Sequence, residues 1–73
     1  MIPRHQFINK IRDLGYVYKD RQKRTELWRR SGSTHRISIS LNSQLEDGYV
    51  ANVLRQCGCN EEEIKRFIAV AKS

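Results

Sequence analysis

Apolar residues recur early in the chain at helical spacing. Phe7, Ile8, Ile11 and Leu14 fall at i, i+1, i+4 and i+7, with Arg4, Asn9, Lys10, Arg12 and Asp13 on the other sides. This pattern predicts an amphipathic helix over 4–14. Pro3 suits its first turn, where a missing N–H costs nothing, and Gly15 stands where a left-handed C-cap would end it. The period then changes. Tyr16 to Lys19 is rich in strand formers, Asp20 to Arg24 reads as a strand end and turn, and Thr25 to Arg30 reads as a second strand centred on Leu27 and Trp28. Ser31-Gly32-Ser33 has the chemistry of a hairpin turn. Beyond it Ile37, Ile39 and Leu41 alternate with Arg36, Ser38 and Ser40, as in a strand with one apolar face.

Asn42 to Gly48 reads as a polar connector. A second helix follows, with Val50, Val53, Leu54 and Cys57 on one stripe and Gly58 as its C-cap. Asn60 opens a third, with Glu63 placed to complete a capping box and Ile64, Phe67, Ile68 and Ala71 as the apolar stripe. Glu61, Glu62 and Glu63 lie in its first turn, where the helix dipole favours anions, so they have a structural explanation. The predicted order is α-β-β-β-α(-α). It describes an α+β domain of two layers, a three-stranded antiparallel sheet with the helices on one face. The 73 residues make a single domain, 1–73, whose core is too small to enclose a deep cofactor pocket.

Charge changes the picture. The stretch Lys19–Arg36 holds seven of the fourteen Lys and Arg residues against only Asp20 and Glu26, so nearly all of the chain's net +6 resides there. Clustered cations around an aromatic are the footprint of a phosphate-backbone partner. Lys19, Arg21, Lys23, Arg24, Trp28, Arg29, Arg30 and Arg36 are therefore the candidate nucleic-acid-binding residues. Leu27 and Trp28 are neighbours on a strand and face opposite sides. Either Leu27 is core and Trp28 is a stacking platform on the open face, or Trp28 is core and Leu27 is exposed.

Candidate catalytic chemistry is sparse. His35 could take a ribose 2′-OH proton while nearby arginines stabilise the developing charge, yet it shares the parity of Ile37 and Ile39, which points it toward the helix layer. His5 is a weaker candidate. Cys57 and Cys59, one glycine apart, are too close for a relaxed disulfide and too few for a zinc site. They read as one buried and one incidental reduced thiol, with no metal and no cofactor implied. No apolar run approaches the ~20 residues of a membrane span, and the start shows no secretory signal. A cytoplasmic protein without a membrane partner is the expectation.

The block Arg36–Ile64, RISISLNSQLEDGYVANVLRQCGCNEEEI, resembles the HicA/YcfA-like family of small bacterial toxins. So does the front end, where FINKIRDLGY precedes Arg21-Gln22-Lys23. The resemblance covers nearly the whole chain through short motifs. It implies a fold like that of a double-stranded RNA-binding domain, metal-independent cleavage of mRNA, and neutralisation by a HicB-like antitoxin. The family's catalytic histidine lies in a Gly-Ser-His element just after Arg-Gln-Lys. Here that place reads Arg24-Thr25-Glu26, and the nearest similar element, Gly32-Ser33-Thr34-His35, comes one hairpin later. The expectation is an RNA-binding protein of toxin–antitoxin type, possessing either a displaced catalytic histidine or none. The alternative is a non-catalytic basic module that docks an acidic protein.

Overall fold

The computed structural model describes residues Met1–Ser73. Its elements are β1 (Ile2–Pro3), α1 (Arg4–Asp13), β2 (Tyr16–Arg21), β3 (Thr25–Arg30), β4 (Arg36–Ser40), β5 (Gln44–Leu45), α2 (Asp47–Gln56) and α3 (Glu61–Ala71). Strands β2, β3 and β4 form an antiparallel meander with β3 in the centre, so the α+β architecture and the order of its main elements agree with the pattern of the sequence. No helix is long and apolar enough to cross a membrane.

Alternation on the strands decides which residues meet the helices. Tyr16, Trp28, Ile37 and Ile39 are buried and share one core with Phe7, Ile8 and Ile11 of α1, Val50, Val53 and Leu54 of α2, and Ile64 and Ala71 of α3. Trp28 pairs with Tyr18 on one side and Ile37 on the other. The opposite face, with Val17, Leu27, Arg29, Arg36 and Ser38, is uncovered. Trp28 is 3% exposed, which settles the choice between the two neighbours: the indole is core and Leu27 is half-buried on the open side.

The helix ends follow their local chemistry. Gly15 and Gly58 have φ of 92° and 90°, a region that side-chain-bearing residues avoid. After α2 the Gly58 N–H donates to the Arg55 carbonyl and the Cys59 N–H to the Leu54 carbonyl, the paired bonds of a Schellman motif. At α3 the Asn60 side chain accepts from the Glu63 N–H at 2.8 Å, and the Glu63 carboxylate accepts from the Asn60 N–H at 3.0 Å.

Three expectations need correction. Pro3 precedes α1 rather than joining its first turn, because Pro3 pairs with Gln44 and Ile2 with Leu45 in a two-residue antiparallel bridge. The connector 42–48 is not wholly polar loop: Leu45 is buried by that bridge, and α2 already begins at Asp47. Leu41 lies just past the end of β4 and is half-buried.

The outer edge of β4 is closed by side chains. The Tyr49 hydroxyl accepts from the Ser40 N–H at 2.9 Å and donates to the Ser38 carbonyl at 3.2 Å. Arg4 Nε donates to the Ser40 carbonyl at 2.7 Å. These bonds occupy ladder positions that would otherwise invite another strand.

Burial sets the cost of truncating each side of β3. Trp28→Ala is expected to lower stability by ~3–5 kcal/mol, as for a large core aromatic, and Leu27→Ala by about 1 kcal/mol or less. Urea unfolding of the two variants checks this ranking, and the reverse order would place the wrong residue in the core.

Candidate nucleic-acid interface

The open side of the sheet gathers three cations from three strands. In the β2–β3 ladder Tyr18 faces Trp28 and Asp20 faces Leu27, so Lys19 is the extra residue of a β-bulge. A bulge bends its strand and re-aims the side chain, and Lys19 joins Arg29 of β3 and Arg36 of β4 around a shallow depression of about 190 Å³. Leu27 and Thr34 complete its lining. Arg29 and Arg36 are direct cross-strand partners, an arrangement that is repulsive between like charges.

No carboxylate neutralises this group. The ion pairs of the chain join Arg4 to Glu26, Arg55 to Glu61, Arg66 to Glu62, and Asp47 to both Lys72 and the terminal ammonium. Asp20, the nearest acid in register, turns its Oδ1 to the Arg21 N–H at 2.8 Å. The Nε of Arg29 is buried and has no acceptor. A buried donor without a partner is costly.

A second concavity of about 620 Å³ lies at the β2–β3 turn, where Arg21, Lys23, Arg24 and Thr25 meet Asn42 and Tyr49. The turn closes through the Gln22 N–H to the Thr25 carbonyl and the Thr25 hydroxyl to Gln22 Oε1 at 3.2 Å. Its cations are exposed and take part in no ion pair. Lys19, Arg21, Lys23, Arg24, Arg29 and Arg36 are thus available to an anion.

Two other candidates belong to the helix side. Trp28 cannot serve as a stacking platform, because its ring is buried, lies edge-to-face with Tyr18 at 5.9 Å, and is covered by the Arg12 guanidinium at 5.5 Å. Arg30 faces the core rather than a ligand. Its guanidinium lies 5.0 Å from the Tyr16 ring centroid and donates to the Cys57 carbonyl. Parity explains both, since Trp28 and Arg30 alternate with Leu27 and Arg29.

His35 lies on the same side, edge-on to Tyr16 at 5.8 Å, with its Nε2 buried and unpartnered. The structure therefore does not bring it together with Arg29 and Arg36, and it cannot act as a base on a group held between them. Beside it the Tyr16 hydroxyl is also buried without a well-formed partner, and burial first, then the Cys57 thiol, pushes its pKa up to about 12. Both cysteines, Cys57 and Cys59, are free, and burial likewise raises their thiols, which makes them weak nucleophiles. No group of three or more His, Cys, Asp or Glu residues is placed to hold a metal ion. His5 lines a separate hollow with Asn9, Asp13 and Phe67, remote in the chain from the cationic strands.

Glu26 lies on the helix side of β3, opposite Ile39. Its carboxylate accepts from Arg4 and, at 3.2 Å, from Trp28 Nε1. The sequence offered no sign of Leu27 or the bulge at Lys19 as parts of one depression, because register alone brings them together.

No protein-family model, no curated protein and no solved structure matches the chain.

Burial alone would raise the Glu26 carboxyl, but the hydrogen bonds from Arg4 and Trp28 together outweigh it and hold the group below its ordinary 4.5. A depressed folded pKa contributes stability above the unfolded value and loses it as pH falls through the folded one. Glu26→Gln is expected to be ~1–3 kcal/mol less stable than wild type at neutral pH. That gap should close on acidification through the carboxylate range. Urea unfolding across a pH series tests it, and a gap independent of pH would show that the charge is not what matters.

Proposed function

We propose that this domain binds RNA through the open face of its sheet and the β2–β3 turn. One observation carries the reading: six cations from one short stretch stand free of ion pairs around two concavities, three of them on adjacent strands facing one depression. Such an arrangement neutralises phosphates and releases their counterions on binding. The free face holds Leu27 and Val17 but no aromatic ring, since Trp28 is turned inward. Recognition therefore rests on the backbone of the nucleic acid more than on stacked bases.

The resemblance of Arg36–Ile64 and of the first helix to HicA-like toxins supplies the biological class. In this reading the partner is mRNA, the setting is the cytoplasm, and a HicB-like antitoxin covers the basic surface. Endonuclease activity is not assigned to His35, which lies behind the sheet against Tyr16. Binding is the proposed activity.

A second reading has its own support. Along β2, Val17 and Tyr18 are 46% and 49% exposed beside Lys19 and Arg21. An acidic strand of a protein partner could pair there, as in strand addition. RNA that fails to displace such a partner would favour this alternative.

Log affinity for a short RNA should fall linearly with log salt, with a slope of about −0.7 per phosphate contacted. Arg24→Ala and Arg29→Ala should each weaken binding and flatten the slope by about 1, whereas Arg30→Ala should leave the slope unchanged and lower stability instead. Fluorescence anisotropy across a salt series measures this. Failure of wild type to bind at micromolar concentration and low salt would refute the proposal.

A further inference from the structure

We infer that the open-face depression is a seat for a phosphomonoester, the phosphorylated end of an RNA strand, rather than one more contact along a continuous backbone. The inference rests on the RNA reading above and adds which part of the strand the site selects. The two basic concavities differ in kind. The one at the β2–β3 turn is about 620 Å³, while the one on the sheet is about 190 Å³ and is lined by five residues that include Thr34 from the β3–β4 turn. A small hollow suits a compact group that ends there.

Charge points the same way. Three cations, Lys19, Arg29 and Arg36, line the hollow without a carboxylate among the lining residues. An internal phosphodiester brings one negative charge, but a phosphomonoester brings about −1.5 to −2 and three strong acceptor oxygens at neutral pH. Two of the cations are cross-strand neighbours that repel one another until an anion lies between them. The Arg29 side chain lines the hollow without an ion pair, and a phosphate supplies its guanidinium with acceptors. The Thr34 hydroxyl is a further donor at the rim. Leu27 is the only apolar lining residue, so no ring is present to hold a base in the same place.

The test compares one oligoribonucleotide sequence in three forms, with a 5′-phosphate, a 3′-phosphate, or hydroxyls at both ends. At least one phosphorylated form should bind about tenfold or more tightly than the hydroxyl form, and the preference should shrink below about pH 6, where the monoester takes up its second proton. Arg29→Met, which keeps the aliphatic stem, and Arg36→Gln should each remove the preference, with folding verified by circular dichroism. Titration with adenosine monophosphate should shift the Arg29 Nε–H resonance, which distinguishes a monoester held on its own from one held only as part of a strand. Equal, salt-sensitive affinity for all three forms overturns the inference and leaves RNA binding standing. Absence of binding by every form overturns both.

Discussion

Strand β3 is hydrogen-bonded on both sides, and the burial of Trp28 decides its facing. With the indole in the core, period-two alternation sends Leu27 and Arg29 outward and Glu26 and Arg30 inward. The ladders pass the same decision to β2 and β4, where Tyr16, Ile37 and Ile39 join the core and Val17, Arg36 and Ser38 do not. A slip of one residue in either ladder would turn the side chains of its outer strand to the other face. The placement of charge on the surface is therefore a consequence of packing one large aromatic.

The basic residues consequently divide by what they face. Those turned toward the helices are tied into the fold: Arg4 bridges Glu26 and the edge of β4, Arg12 lies over Trp28, and Arg30 lies over Tyr16 and reaches the end of α2. Their long stems add apolar cover while the heads find acceptors or ring faces. Those on the open face and at the β2–β3 turn have none of these partners. Only the second group is free to meet a ligand, although Arg30 of the first belongs to the same basic stretch.

Much of this was legible in the sequence wherever a local signal was strong. Gly15, Gly58 and the Asn60–Glu63 pair marked helix ends through backbone requirements that few residues meet, and the bounds of the second strand, Thr25 to Arg30, were read directly. What escaped depended on distant pairing. Leu45 looked like part of a polar loop because its partner Ile2 lies at the other end of the chain. The facing of Leu27 and Trp28 stayed open because two adjacent apolar residues satisfy either parity. Arg30 was counted with the binding residues because charge alone does not reveal a contact with Tyr16 and Cys57. The bulge that brings Lys19 to Arg29 and Arg36 has no mark in composition at all.

A domain of this size has little stability to lose, since one core of sixteen buried residues must hold all the elements. Against that background the pairing of Arg29 with Arg36 is a net liability in the free protein: it combines repulsion with a buried donor that lacks an acceptor. Elsewhere the chain handles charge differently, placing Glu61 beside Arg55 and Asp47 beside Lys72. Ser38 or Thr25, neutral neighbours on the same face, show that polar residues without charge fit the sheet equally well. An unfavourable pair without a carboxylate beside it is what a site looks like when its stabilising partner arrives from outside. By mass action, an anion that binds only the folded state returns the lost stability in proportion to its concentration. The same interaction that weakens the free domain would couple its folding to the proposed anion.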